Sequence, residues 1–326
     1  MEIATIFGVI IIKKMFFYEY LFTTLPLWVL VFLLSLSANL TAQDGDSLLD
    51  GIEEETTDYA TASFKTTRVV NSHSLENKAK GTMDFKISHR FGLLNQGVYD
   101  IFGLDNATIR FGFEYGISDA LMVGLGRSTF EKTYDGFIKY KFLRQSKGKR
   151  NMPITAAIAL GSGINTLKPN IAFPTLTEDN IHFSHRLNYY AQLIVGRKFS
   201  SAFSAQLMPI WIHRNYAPVV NSFQEKNDIF SLGAAARMKL TKRMAVNVEY
   251  FYNLPDQLSN RSYNSLSIGF DIETGGHVFQ LHFTNSQPMS EKGFIANTGG
   301  DWLDGKVHFG FNITREFTVV KPKRDH

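Results

Sequence analysis

The sequence lacks cysteine altogether, which excludes several kinds of site at once. Without a thiol the chain can form no disulfide framework, no thiolate metal site, no cysteine nucleophile and no lipid-modified N-terminal cysteine. Charged residues are also sparse, at 20% of 326, and the formal net charge is only +4. Because 34 basic residues are spread along the chain beside 30 acidic ones, a dedicated nucleic-acid binder is not expected.

Aromatic residues are abundant instead. The chain has 28 Phe and 13 Tyr beside 9 Pro, and 44% of it is hydrophobic. This composition is typical of β-strands and is too apolar for a disordered protein.

Residues 1–42 are predicted to be a secretory signal peptide. Lys13 and Lys14 precede an uncharged stretch at residues 26–38, and we place cleavage after Ala42. The alternative is an uncleaved anchor, because residues 21–42 are uncharged and just long enough to span a bilayer. Met15 is a candidate for the true start of translation.

The remaining chain divides into three parts. Residues 43–80 are predicted to be a flexible acidic leader, residues 81–317 a β-barrel and residues 318–326 a basic tail. For residues 68–80 three alternatives stay open: they extend the first strand, fold into the lumen as a plug or remain loose. His73 and Glu76 are the predicted contacts of such a plug, or of a partner.

From residue 81 onward the hydrophobic pattern has a period of two. Met83, Phe85 and Ile87 alternate with Asp84 and Lys86, and later segments repeat the rule. Twelve strands are predicted, near residues 82–91, 109–115, 121–127, 136–143, 154–163, 183–198, 203–214, 230–240, 244–252, 265–273, 278–284 and 306–317.

The connections between these strands favour a membrane barrel. Short connections alternate with longer ones, as periplasmic turns and external loops do in outer-membrane barrels. An even number of strands then places both termini on the periplasmic side. Aromatic residues near the strand ends, such as Tyr115, Trp211 and Tyr250, indicate that the apolar faces meet lipid. The predicted fold is therefore an all-β, antiparallel, up-and-down transmembrane barrel of about twelve strands.

The opposite faces of the strands carry the charged residues and are predicted to line the lumen. The candidate lumen-lining residues are Arg90, Arg110, Glu114, Lys139, Arg186, Arg237, Glu249, Asp271 and Glu273. Two interpretations remain open. The charges either pair across a narrow, closed barrel, or they line a hydrated path for small polar solutes.

The sequence contains no clear pattern of a catalytic or metal-binding site. Ser88-His89-Arg90 and Ser184-His185-Arg186 each lie in a predicted strand, where adjacent Ser and His point to opposite faces and cannot form a nucleophile–base pair. His213 has no evident partner. No metal site, cofactor or catalytic residue is assigned, and an embedded lipid hydrolase is the third-ranked function.

Four segments together carry a family resemblance: residues 80–92 (KGTMDFKISHRFG), 102–112 (FGLDNATIRFG), 115–119 (YGISD) and 124–128 (GLGRS). The chain resembles, over about residues 69–317, a domain-of-unknown-function family of outer-membrane β-barrel proteins of the Bacteroidota type. The resemblance implies an outer-membrane barrel and brings no activity, ligand or catalytic residue.

The expected protein is thus a monomer in the outer membrane with periplasmic termini. Its expected partners are outer-membrane lipid, the barrel-assembly machinery during biogenesis and a small polar solute. A narrow channel or transport-associated barrel is the first functional hypothesis, and a non-conducting structural or scaffolding barrel that recruits a partner is the second.

Overall fold

The computed structural model describes residues 56–320. The predicted signal peptide, the first part of the leader and the end of the tail lie outside these residues. The described chain forms a closed antiparallel barrel of twelve strands, in which the last strand pairs with the first. The strands are β1 (Thr82–Leu93), β2 (Ala107–Gly116), β3 (Leu121–Ser128), β4 (Tyr134–Leu143), β5 (Thr155–Ile164), β6 (Leu187–Lys198), β7 (Phe203–Arg214), β8 (Asp228–Lys239), β9 (Met244–Asn253), β10 (Leu266–Thr274), β11 (His277–Thr284) and β12 (His308–Thr318).

The predicted fold class is confirmed, and the strand boundaries agree to within a few residues except in one place. The sixth strand was expected from residue 183, but β6 begins at Leu187 because Phe183–Arg186 form a turn of 3-10 helix. This turn removes the second Ser-His-Arg tripeptide from the barrel wall. The first tripeptide does lie in β1, with Ser88 buried and His89 on the outer face.

Alternation places apolar side chains on the outside of most strands and polar ones inside, although part of the interior, including Met208, Ile210 and Ile229, is apolar. Phe113 is 49% exposed, Leu125 70% and Ile138 55%, whereas the inward Lys86 is 2% exposed and Lys139 is completely buried. A water-soluble barrel would have the reverse arrangement. An apolar exterior around a polar interior is the pattern of barrels that face lipid.

Glycines make room for the few large aromatic rings that point inward. Gly124 lies beside Phe137 of the neighbouring strand, and a Cβ atom at this glycine would be 2.2 Å from that ring. Gly161 and Tyr190 repeat the arrangement between β5 and β6, at 2.4 Å. Gly124 and Gly161 therefore serve interior packing.

The two ends of the barrel differ in the length of their connections. One end, here called the short-turn end, carries the turns at residues 117–120, 199–202, 240–243 and 275–276. The opposite, long-loop end carries loops at residues 94–106, 165–186, 215–227, 254–265 and 285–307. The alternation fails once, because the connection at residues 129–133 on the long-loop end is shorter than that at 144–154 on the short-turn end.

The length of the 144–154 connection has a structural cause. Its residues Ser146–Gly148 pair as a short strand with Thr57–Tyr59, so the connection supports the chain that approaches the barrel from the N-terminal side. Arg144 also lies over the ring of Tyr59, with 4.3 Å between the guanidinium carbon and the ring centroid.

Candidate functional site

The barrel interior is occupied by the chain that precedes β1. Residues 63–76, here called the plug, run into the lumen and turn back, and most of their side chains are buried. The two limbs of the turn are joined by hydrogen bonds from the Val69 amide to the Ser72 carbonyl, and from the Ser74 amide to the Thr67 carbonyl, both at 2.9 Å. Because strands from all sides of the barrel contact this segment, it lies inside the barrel. Of the three alternatives, the plug is the one that the structure shows.

The tip of the plug is held by one carboxylate. Glu249 on β9 accepts hydrogen bonds from the backbone amides of Val70, Asn71 and Ser72 at 3.3, 3.1 and 3.0 Å, and from the Ser72 hydroxyl at 2.6 Å. Glu249 is completely buried. A buried carboxylate is costly unless its oxygens are hydrogen-bonded, and the plug supplies these bonds through its backbone.

The returning limb is held by a buried ammonium group. Lys139 on β4 donates to the carbonyl oxygens of Ser74 and Glu76, each at 2.6 Å. Gln206 on β7 binds the same limb in both directions, because its amide donates to the His73 carbonyl at 2.8 Å and its oxygen accepts the Leu75 amide at 3.0 Å.

Side chains on other strands also donate hydrogen bonds to the plug. Gln280 on β11 donates to the Val69 carbonyl at 2.5 Å, and Asn312 on β12 donates to the Val70 carbonyl at 3.0 Å. Arg90 on β1 donates to the side-chain oxygen of Asn71 at 2.9 Å. The lumen thus binds backbone groups of the plug by means of inward polar side chains of many strands.

Arg68 provides a buried positive charge of the plug. Its guanidinium pairs with Glu114 on β2 at 3.4 Å and with Glu291 from the long-loop end. Lys86 lies on the other side of Glu114 at 3.3 Å and also donates to the Thr67 hydroxyl at 2.8 Å. A buried carboxylate that lies between two cations is compensated, which a lone buried carboxylate is not.

A loop enters the lumen from the opposite end. The short helix Glu291–Ala296, here called the loop helix, belongs to the loop at 285–307, and all its residues except Lys292 are buried. Phe294 packs on Phe251 of β9 with 5.2 Å between ring centroids. Glu291 meets the plug, because His73 Nε2 lies 3.3 Å from its carboxylate in addition to the Arg68 pair. The interior is therefore filled from both ends, and the two insertions touch.

The plug leaves the barrel at the short-turn end. The Ala60 amide donates to the Gln145 carbonyl at 2.8 Å, and on the returning limb Asn77 donates to the Ala120 carbonyl at 2.8 Å. Lys78 lies beside Asp84 at 3.0 Å and pairs with Glu316. Burial disfavours the charged ammonium of Lys78, but these two carboxylates outweigh burial and raise its pKa.

Seven of the nine predicted lumen residues are buried on inward faces of strands: Arg90, Arg110, Glu114, Lys139, Arg237, Glu249 and Asp271. Most of them contact the plug, but Arg110 pairs instead with Asp135 on β4. Glu273 lies at the rim of the short-turn end, half exposed, and pairs with Lys65 at 2.6 Å.

Arg186 was expected to point inward from a strand, and this placement is wrong. It lies in the 3-10 turn before β6, where it donates to the carbonyl oxygens of Asn165 and Leu167 at 3.0 and 2.7 Å. The predicted strand began too early, because residues 183–186 form a 3-10 turn and not a strand.

His73 and Glu76 both belong to the plug. His73 is completely buried and its Nε2 lies 3.0 Å from the Tyr190 hydroxyl. The carboxylate of Glu76 accepts the backbone amides of Ser63 and Phe64 at 2.7 and 3.2 Å, so it joins the two limbs of the plug.

Sequence reasoning missed Arg68 and Glu291, the two residues that connect plug and loop helix. The leader did contain a sign of burial, because it carries four large apolar residues that would be exposed to water in a free segment: Phe64, Val69, Val70 and Leu75. All four are buried in the interior. For Glu291 the sequence offers no comparable sign, because its loop has no periodicity.

The outer surface carries one histidine–carboxylate pair. His213 Nδ1 lies 2.9 Å from the carboxylate of Asp228, which also accepts the indole N–H of Trp211 at 2.9 Å. Cross-strand neighbours of His213 are Tyr189 and Asp228. Within residues 56–320 no serine hydroxyl bonds to His213, so the pair lacks the nucleophile of a serine hydrolase.

Among the described residues, no group of three or more His, Asp or Glu side chains is arranged to hold a metal ion. No helix in the same part of the chain is long and apolar enough to cross a membrane.

The solved structures that match this chain are only distantly similar to it. No curated protein sequence matches the chain. Among solved structures, the NanC porin is 6% identical with a TM-score of 0.44, and the alignment covers 73% of this chain and all of the porin. The KdgM porin is 9% identical with a TM-score of 0.40, and the alignment covers 72% of this chain and 99% of the porin. The outer membrane phospholipase A of Escherichia coli is also 9% identical with a TM-score of 0.40, and the alignment covers 72% of this chain and 92% of the phospholipase. Likenesses this low carry no conclusion about what the chain binds or transforms.

The family comparison is more informative. A family model described as "Membrane bound beta barrel domain (DUF5777)" matches residues 64–317, which include the plug and the twelve strands except for one terminal residue of each, Ser63 and Thr318. The predicted resemblance to a barrel family of unknown function is confirmed. The chain belongs to this family of membrane-bound β-barrel domains.

Proposed function

We propose that the protein is an outer-membrane β-barrel that its own N-terminal segment keeps closed, and that its resting role is that of a non-conducting scaffold. The observation that carries this proposal is the occupation of the lumen by residues 63–76. In this proposal the barrel sits in lipid as a monomer after insertion by the barrel-assembly machinery, and its short-turn end, with the chain that leads to the plug, faces the periplasm.

The charges of the lumen support this proposal because the plug accounts for most of them. The carboxylate of Glu249 accepts hydrogen bonds from backbone amides of the plug, and the ammonium of Lys139 donates to its backbone carbonyls. The charge of Glu114 is compensated by Arg68 and Lys86. A hydrated conducting path would leave such groups facing water and mobile ions. Here these charged groups are buried and hydrogen-bonded to the plug. Such bonding offsets the cost of burying a charge, so it favours a plug that stays in the lumen.

A second candidate is a gated passage for small polar solutes. The observation in its favour is that both limbs of the plug leave through the short-turn end, near Gln145 and Ala120. A hairpin that enters and leaves at one end can be withdrawn without threading the chain through the barrel. Its departure would expose Arg90, Lys139 and Glu249 to water and would leave the short loop helix in the lumen.

Conductance in planar lipid bilayers tests the proposal. The mature chain should show no steady conductance at moderate voltage, whereas a variant that lacks residues 60–78 should conduct. Faster migration of unheated than of boiled protein on a gel confirms that both barrels are folded. Steady conductance of the intact chain would overturn the scaffold proposal, and voltage-induced, reversible opening would favour the gated passage.

A further inference from the structure

A cavity of about 540 Å³ opens at the long-loop end, away from the plug. Its wall is built by the end of β1, the loops at 94–106 and 129–133, the loop at 285–307 and the start of β12. The side chains and backbone that define it include those of Gln96, Asn106, Phe130, Asn297, Gly299 and His308.

The polar atoms of this wall offer both donors and acceptors. The side-chain oxygen of Gln96 accepts the Leu93 amide at 3.2 Å, which leaves its amide nitrogen to donate. Asn297 donates to Glu131 at 2.8 Å, which leaves its carbonyl oxygen to accept. His308 uses Nδ1 on the Phe91 carbonyl at 2.8 Å, so Nε2 remains for a ligand.

None of the residues that line the cavity is an acid, a lysine or an arginine. The carboxylate that Asn297 of the wall contacts, Glu131, is compensated by Lys292 at 2.7 Å. The wall therefore has no net charge with which to select an anion or a cation, and its hydrogen-bonding groups suit hydroxyl groups that donate and accept at once.

Size and shape agree with a small organic ligand. The cavity falls within the range of about 300–1,000 Å³ that is usual for small-molecule sites. Phe130 adds one aromatic surface among amides, which suits the C–H face of a ring that carries hydroxyl groups. We infer that the long-loop end binds a small uncharged polyhydroxyl compound of the size of a mono- or disaccharide. The inference does not rest on closure of the barrel, because the cavity lies outside the plug.

Two glycines give a matched pair of variants for the test. A Cβ atom added at Gly299 meets no heavy atom within 4 Å, and the same is true of Gly275 in the turn at the opposite end. Gly299→Trp therefore adds a large ring at the cavity wall with no clash at its Cβ atom, whereas Gly275→Trp adds the same ring at a distant surface. Gln96→Ala is a second cavity variant, which removes the whole side-chain amide: the nitrogen that could donate to a ligand and the oxygen that accepts the Leu93 amide.

Calorimetric titration of the full chain in detergent micelles is the measurement, with glucose, maltose and sucrose as neutral probes and galacturonate and glucosamine as charged ones. We expect saturable binding of at least one neutral sugar in preference to the charged ones. The affinity should fall about tenfold or more in Gly299→Trp and in Gln96→Ala, and stay unchanged in Gly275→Trp.

Three results would overturn the inference: no saturable binding of any neutral sugar, preference for a charged probe, or equal binding by the cavity variants and the wild type. Heat-modifiable migration of each variant shows that its barrel is folded. Because the titration does not depend on conductance, its failure is distinguishable from failure of the proposed closure.

Discussion

Arg68 on the plug forms a buried ion pair with Glu291 on the loop helix, although 223 positions separate them in the chain. Each side chain arrives from a different end of the barrel, and they meet in the interior. The pair therefore couples the segment that fills the lumen to the loop that covers it.

Removal of either partner of this pair should destabilise the folded barrel. Breaking a buried ion pair by removing one side costs about 3–5 kcal/mol, because the other charge is left uncompensated. In a cycle of Arg68→Met, Glu291→Gln and the double variant, we expect the double variant to be less destabilised than the sum by about 1–3 kcal/mol. Urea unfolding in detergent micelles measures these free energies.

The exposed pair of Lys306 and Asp304, 3.1 Å apart in the same loop, provides the control for this cycle. Its double variant should show no measurable coupling, because water screens both charges. Strict additivity for Arg68 and Glu291 would show that the plug and the loop helix do not depend on each other.

Glu249→Gln should loosen the tip of the plug while preserving the barrel. The substitution keeps the shape of the side chain but removes its charge and turns one acceptor into a donor that faces backbone amides. Loss of charge-assisted hydrogen bonds of about 1.5–3 kcal/mol should speed exchange of the Asn71 and Ser72 amides about tenfold to a hundredfold. Hydrogen exchange read by mass spectrometry measures this change.

Glu178→Gln is the matched control, because Glu178 is exposed in the loop between β5 and β6. It should leave exchange in the plug as it is in the wild type. If Glu249→Gln also leaves the plug amides protected, the carboxylate is not what holds the tip.

Leu160→Arg should impair membrane insertion, because Leu160 lies in the middle of β5 and is 50% exposed on the outer face. An arginine on the lipid face near the bilayer midplane costs about 2–4 kcal/mol. Leu303→Arg, at a loop position that is 72% exposed, should cost nothing measurable. Folding titrations into lipid vesicles compare the two. Equal insertion of both variants would contradict the assignment of the apolar face to lipid.

The sequence was sufficient for the wall of the barrel. Alternation such as Asp84, Lys86, Ser88 and Arg90 on one face determines which residues point inward, because a strand sends successive side chains to opposite sides. The aromatic residues near the strand ends then indicated that the apolar side faces lipid, and the family resemblance agreed with this assignment. Arg186 was misplaced because four residues of alternating pattern are too few to distinguish a strand from a helical turn.

The interior was much less predictable. The partners of Arg68 are Glu114 and Glu291, at separations of 46 and 223 positions, and no local pattern connects residues so far apart. The lumen charges were identified from alternation, but Glu249 and Lys139 bond mainly to backbone atoms of the plug, and a backbone atom has no signature in the sequence. Only the four apolar residues of the leader indicated a buried segment.

Thiol labelling of the plug tip tests the central claim most directly. Because the chain contains no cysteine, Ser72→Cys introduces a single thiol at a position that is completely buried in the lumen. The control is Ser201→Cys, in an exposed turn at the end where the plug leaves the barrel. A closed barrel predicts slow maleimide labelling of residue 72 in the folded protein and rapid labelling after unfolding. Labelling of residue 72 as fast as residue 201 in the folded protein would contradict the account, because the lumen would then be open.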